Sequence, residues 1–228
     1  MKKKIAILGS TGSIGKTLIE IIKKDKKNFE VILLTAQKNE ISLIKQAKLL
    51  NVKNLIITNS QSFQNAIKKK SNKKINIYND YSKFNKIFRG KVDYVMNSIS
   101  GIEGLKPTLE IIKYSKKIAV ANKESIICGW NLINKKLKFY KTEFIPIDSE
   151  HFSINELIKN TNKKNIEKVY ITASGGPFLN YKHSSFRNIK VKNAIKHPTW
   201  KMGKKISIDS ATLINKVYEL IEAKKYLI

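Results

Sequence analysis

The first 145 residues alternate between short apolar runs and longer amphipathic stretches. Residues 4–8, 31–35, 54–58, 92–97 and 117–121 are compact, mostly apolar segments rich in Ile, Leu and Val, the composition of strands buried on both faces. Between them, 14–24 and 41–50 repeat apolar residues at i, i+3, i+4 spacing, which predicts helices with one buried stripe. Strands alternating with helices predict an α/β fold with a parallel sheet. Farther on, 168–173 predicts another strand, 180–196 is polar, and 209–226 predicts a last helix. The ending Tyr226-Leu227-Ile228 carries no stop signal and reads as a cut end.

Composition narrows the class. An apolar content of 42% fits a folded chain. No apolar run is long enough for a membrane span. Met1-Lys2-Lys3-Lys4 precedes only four apolar residues before Gly9, too few for a signal peptide. The lone Cys128 excludes an internal disulfide, and a cytoplasmic location is expected. The net charge of +28 raises the question of nucleic acid. The lysines, however, are spread along the chain, and Arg89 and Arg187 are the only arginines, whereas base reading favours Arg. Ile and Asn are also abundant and share A/T-heavy codons with Lys. The charge is read as solvated lysine, with no nucleic-acid or membrane partner, and its field favours an anionic substrate.

Gly9-Ser10-Thr11-Gly12-Ser13-Ile14-Gly15 follows the first predicted strand and opens the first predicted helix. Gly9 permits a tight turn, Gly12 lets the backbone approach a pyrophosphate and Gly15 lets helix pack on strand, with the helix N–H groups facing phosphate. The spacing is G-x-x-G-x-x-G, a variant of the dinucleotide fingerprint, and a ligand-free glycine turn is the alternative. After the second strand, Thr35-Ala36-Gln37-Lys38-Asn39 lacks the acid that would bind a ribose 2′-hydroxyl. Lys38 can meet a 2′-phosphate instead, which favours NADP(H), or it is one more surface lysine.

Asp148-Ser149-Glu150-His151 sets two of the scarce acids at i, i+2 after the apolar Phe144-Ile145-Pro146-Ile147. Paired carboxylates at a strand end repel unless a cation lies between them, and Mg²⁺ or Mn²⁺ prefers such oxygen ligands. The alternative is a helix N-cap at Asp148 or Ser149, with the helix starting near His151.

Six blocks then stand in a fixed order: the glycine turn, Asn122-Lys123-Glu124, Asp148-Ser149-Glu150-His151, Ser174-Gly175-Gly176-Pro177-Phe178, His197-Pro198-Thr199-Trp200-Lys201-Met202-Gly203, and Lys205 through Lys216. Together they resemble the 1-deoxy-D-xylulose 5-phosphate reductoisomerase family over nearly the whole chain. The resemblance implies an N-terminal Rossmann-like NADPH-binding domain over 1–146. It also implies an incomplete α/β catalytic domain over 147–228, since family members continue past this point as homodimers. NADPH would be held by Gly9 through Gly15, Lys38, Asn39, Asn122 and Glu124. Asp148, Glu150 and Glu219 would bind Mg²⁺ or Mn²⁺. Ser174, Ser210, Asn215 and Lys216 would clamp the phosphate of a small-molecule substrate, with Ser210 as helix N-cap the alternative. Lys123, Ser149 and Glu150 would meet the reacting oxygens, and His197, Trp200 and Met202 would belong to a closing flap. Lys123, Asp148, Glu150 and His197 are the expected catalytic residues. His151 would support the metal cluster or simply pack beneath it. The implied chemistry is metal-assisted rearrangement of 1-deoxy-D-xylulose 5-phosphate and hydride reduction to 2-C-methyl-D-erythritol 4-phosphate. Two other readings are a semialdehyde dehydrogenase and an NADPH-binding fragment without catalysis. The first needs a nucleophilic cysteine, and the apolar surroundings of Cys128 predict a buried structural thiol instead.

Overall fold

The computed structural model describes residues 1–69, 74–199 and 203–226. The chain divides into two compact units, Met1–Ile147 and Asp148–Ile228, each described by itself.

Among its described residues unit 1 carries seven strands: β1 (Lys3–Leu8), β2 (Phe29–Ala36), β3 (Asn54–Ile57), β4 (Asn76–Tyr78), β5 (Val92–Asn97), β6 (Ser115–Val120) and β7 (Glu143–Ile145). They form one sheet in the order β4-β3-β2-β1-β5-β6-β7, and every pairing is parallel. The helices are α1 (Ser13–Lys24), α2 (Glu40–Leu50), α3 (Ser60–Lys68), α4 (Phe84–Ile87), α5 (Leu105–Ile111) and α6 (Lys123–Tyr140). The α/β class and parallel sheet follow from the buried apolar runs: Leu33, Leu34, Leu55, Ile56 and Ile57 are fully buried, as double-sided coverage requires. β4 is three residues long and too short to show a period. Strand order reverses at β1, which lies between β2 and β5. In open α/β sheets the crevice beyond the strand ends at such a reversal is where ligands bind.

Unit 2 holds α7 (Ser149–Ile158), α8 (Val191–Ala194), α9 (Lys204–Ala211) and α10 (Ile214–Tyr226). Two expectations fail here. Residues 168–173 form no strand, since a strand needs a ladder partner and no described segment of unit 2 supplies one. Val169 and Ile171 instead pack against buried Ile154 and Ala223. The single helix expected over 209–226 is two helices, broken where Leu213 adopts a left-handed φ of 60°. Ser210 therefore lies in the last turn of α9 and does not cap a helix. No helix among the described residues is long and apolar enough to cross a membrane.

Candidate functional site

The glycine turn lies where β1 meets β5. Gly9 has φ +75°, and a Cβ there would come within 2.9 Å of the Ser98 backbone after β5. At Gly15 a Cβ would lie 2.5 Å from the Gly9 carbonyl oxygen and 2.6 Å from Ser10 Cα, so helix and turn touch backbone to backbone. Gly12 differs: its nearest neighbour would be the Gly9 oxygen at 3.4 Å, an ordinary contact. Gly12 is the N-cap of α1, no side chain caps the helix, and its first turn carries no acid. Thr11, Gly12, Ser13 and Ile14 are wholly or partly exposed, and this N-terminus suits an anion. Ser10 is different from expectation. It is fully buried, its N–H donates to the Thr35 carbonyl and its hydroxyl donates to Gln46 Oε1 at 2.7 Å. Its donors face inward, away from any ligand on the exposed side.

Lys38 is exposed after β2. Asn39 caps α2 by accepting from the Ser42 N–H at 3.0 Å. Asn122 caps α6 in the same way, accepting from the Ser125 N–H. Asn122 is only 5% exposed, and its Nδ2 has no hydrogen-bond partner among the described residues. A buried donor without an acceptor is costly, so this amide is suited to a bound acceptor. Lys123 and Glu124 form the first turn of α6, both partly buried.

In unit 2 the acids converge. Pro146 follows the end of β7 and cannot donate to a ladder, and α7 starts three residues later. Asp148 occupies the N-cap position, but its side chain makes no capping bond, so the cap reading gives the position and not the carboxylate's use. Oxygens of Asp148, Glu150 and Glu219 lie within 4.8 Å of one another. Lys216 Nζ donates to Glu150 Oε1 at 3.1 Å and also pairs with Glu219. Asn215 Nδ2 donates to Glu219 Oε1 at 2.5 Å. Burial acts to raise the Glu150 pKa, but hydrogen bonds from Ser149 and Lys216 outweigh it and hold the carboxyl at about 2. Burial likewise acts against the charged form of Lys216, and Glu219 and Glu150 overcome it to raise its pKa.

Beneath these lies His151, for which the sequence leaves open support of the metal cluster or plain packing. His151 is fully buried. Its Nε2 donates to the Glu219 carbonyl at 2.9 Å, and its Nδ1 lies 3.3 Å from Glu222 and 2.9 Å from the Tyr226 hydroxyl. Burial opposes protonation, but Glu222 and Asp148 raise the His151 pKa above its ordinary value. His151 therefore packs beneath the carboxylates and is hydrogen-bonded to the Glu219 backbone. Glu222 could have been found from its i+3 spacing to Glu219, which puts both on one helix face. Lys216 pairs with Glu150 and Glu219, and His151 lies beside Glu222. The all-oxygen donor set of Asp148, Glu150 and Glu219 fits a hard divalent cation.

Asp148, Glu150 and Glu219 line a cavity of ≈ 610 Å³ together with Ser174, His197, Ser210, Asn215 and Lys216. Gly176, at φ +67°, packs so close to the end of α9 that a Cβ would be 2.7 Å from the Ser210 oxygen, which brings the Ser174 turn beside Ser210. The Thr199 N–H donates to His197 Nδ1 at 3.2 Å, so the proton sits on Nε2, which donates to Ser174 Oγ at 2.9 Å. Ser149 is exposed and donates to Glu150. Trp200 and Met202 lie outside the described residues. Cys128 is exposed rather than buried, because the inward stripe of α6 runs through Ser125, Ile126, Gly129, Trp130 and Ile133 and passes it by.

Comparisons with known proteins match both units. A family model described as 1-deoxy-D-xylulose 5-phosphate reductoisomerase covers residues 5–129, and one described as the C-terminal domain of that enzyme covers 144–227. A 1-deoxy-D-xylulose 5-phosphate reductoisomerase from Pelagibacter ubique is 62% identical over 98% of this chain. One from Wolbachia pipientis is 44% identical over 97%. The chain spans 58% and 56% of the length of these curated relatives. A crystal structure of DOX-P reductoisomerase in complex with NADPH, fosmidomycin and magnesium superposes with a TM-score of 0.86 at 33% identity, over 97% of this chain and 57% of that one. The Zymomonas mobilis enzyme in complex with NADPH gives 0.85 at 32%, over 98% and 57%. With the glycine turn in one unit, the carboxylate cluster in the other and both family models matched in order, the chain belongs to the 1-deoxy-D-xylulose 5-phosphate reductoisomerase family.

Proposed function

We propose that this chain supplies the cofactor, metal and substrate sites of an enzyme that converts 1-deoxy-D-xylulose 5-phosphate to 2-C-methyl-D-erythritol 4-phosphate. The observation that carries the reading is the meeting of Asp148, Glu150 and Glu219 with Ser174, Ser210, Asn215 and Lys216 in one cavity. Three carboxylates beside two serine hydroxyls, an amide and an ammonium suit a divalent cation and a phosphate monoester together. The relatives' structures with NADPH, magnesium and the phosphonate fosmidomycin support the same set of ligands.

Asp148, Glu150 and Glu219 would hold Mg²⁺ or Mn²⁺, and the exposed N-terminus of α1 with Asn122 Nδ2 would hold NADPH. When bound, the metal supplies Lewis-acid polarisation of substrate oxygens and NADPH supplies hydride. The protein's part is placement. Ser174, Ser210, Asn215 and Lys216 fix the phosphate end, which leaves the carbonyl and hydroxyl end toward the carboxylates. Ser149 offers a hydroxyl to a substrate oxygen, and Lys123 is the side chain assigned to proton movement at the reacting oxygens. His197 Nε2–H, held by Ser174, lines the cavity wall on the phosphate side. Lys38 meets the 2′-phosphate.

The test is NADPH oxidation with 1-deoxy-D-xylulose 5-phosphate and Mg²⁺ or Mn²⁺, using this chain and a form extended to its relatives' full length. Oxidation abolished by a chelator is expected. A folded, NADPH-binding full-length form that oxidises none overturns the reading. Lys216→Ala is expected to weaken the phosphorylated substrate at least tenfold, the loss of about one charge-assisted bond. An unchanged KM would remove Lys216 from the phosphate clamp.

A further inference from the structure

We propose that Gln46 is a positioning residue for the cofactor's phosphates, its carboxamide locking Ser10 and so setting the glycine turn that faces them. The proposal rests on the reading that unit 1 binds NADPH. The turn has glycines at 9, 12 and 15, one residue more between first and last than the G-x-G-x-x-G fingerprint. A longer turn has more conformations to exclude, and hydrogen bonds from behind it do so.

Gln46 lies on α2 and is only 7% exposed. Its Nε2 donates to the Ser10 carbonyl at 2.9 Å, and its Oε1 accepts from the Ser10 hydroxyl at 2.7 Å. Both ends of the amide therefore meet one residue, in a closed pair that fixes the distance and rotation of that segment. A flipped amide would set its oxygen against the Ser10 carbonyl and lose that bond. A buried carboxamide is costly unless bonded, and here its bonding goes to the turn. Thr35 completes the anchor from β2: its Oγ1 accepts from the Gly9 N–H at 2.9 Å, and its carbonyl accepts from the Ser10 N–H. The effect passes to the ligand side through Ser10, whose backbone is in contact with Gly15 in the first turn of α1. Release of Ser10 lets that turn shift against the helix N-terminus where the phosphates would sit. A misplacement of this kind lowers binding without removing any group that touches the ligand.

The experiment is calorimetric titration of the 228-residue chain with NADPH and with NADH, for the unaltered chain, Gln46→Leu, Gln46→Glu, Ser10→Ala and the double variant Ser10→Ala/Gln46→Leu. Gln46→Leu is expected to weaken both nucleotides by the same factor, roughly tenfold, because both carry the pyrophosphate. Lys38→Ala, run beside it, lowers NADPH affinity alone. Gln46→Glu keeps the acceptor for the Ser10 hydroxyl and loses the donor, so its effect is intermediate. The double variant loses less than the sum of the two single variants, the mark of a direct pair. Circular dichroism checks that each variant is folded, and Ser10→Ala carries the test if Gln46→Leu is not. Unchanged affinities in folded Gln46→Leu, or strict additivity with Ser10→Ala, overturn the proposal and leave the cofactor reading standing. Absence of NADPH binding by the unaltered chain overturns that reading and this proposal with it.

Discussion

Glu150→Gln is expected to abolish turnover and divalent-metal binding while NADPH binds as before. The substitution keeps the side chain's size and removes one of three charges whose oxygens lie within 4.8 Å of one another. Loss of a group that merely supports a ligand costs about 10–100-fold in metal affinity, so loss of a ligand itself costs at least ~100-fold. The fold should tolerate the change. Glu150 is 27% exposed, and Lys216 keeps its pairing with Glu219, so stability should shift by no more than about 1 kcal/mol. The measurements are Mn²⁺ titration, NADPH titration and thermal unfolding on one preparation. If Mn²⁺ affinity is unchanged, Glu150 is not a ligand. If NADPH affinity falls in parallel, the variant is misfolded and says nothing in favour of the cluster.

Two alanine substitutions in the glycine turn are expected to separate packing from ligand approach. Gly15→Ala puts a methyl 2.5–2.7 Å from three backbone atoms of Gly9 and Ser10. No side chain can rotate away, so turn and helix must part. Overpacking typically costs about 1–3 kcal/mol, and a backbone clash belongs at the upper end. A clear fall in the unfolding midpoint should accompany loss of NADPH binding. Gly12→Ala meets nothing of the chain closer than 3.4 Å, and its φ of −74° is open to any residue. The unfolding midpoint should stay within a few degrees, yet the methyl stands on the exposed side of the turn where the pyrophosphate would approach. NADPH affinity should drop at least tenfold with the fold intact. Unimpaired binding by Gly12→Ala would place the cofactor elsewhere.

The contrast between these glycines shows what a sequence can carry. Gly9, Gly12 and Gly15 mark a turn by spacing alone, although only Gly9 and Gly15 meet backbone too close for a Cβ. The spacing does not tell which of them faces the protein and which faces a ligand. Strands β1, β2, β3, β5 and β6 were legible because a strand buried on both faces must be continuously apolar. β4, with three residues, carries no period. The run at 168–173 has a strand's composition, but a strand exists only with a partner, and composition does not name one. The break at Leu213 is equally local in cause and invisible in pattern, since leucine gives no warning of a left-handed φ.

The site divides in the same way. The sequence by itself determined the order of the blocks, the α/β class and the residue types able to hold phosphate and a hard cation. Covalent order and side-chain chemistry suffice for those. Only the tertiary structure decided that Glu219 on α10 reaches Asp148 and Glu150 at the start of α7, and that Glu222 and Tyr226 stand behind His151. It also turned Ser10 inward to Gln46 and left Cys128 in solvent. These depend on which helix face is buried and what lies opposite it. Such contacts join residues tens of positions apart, and no local spacing encodes them.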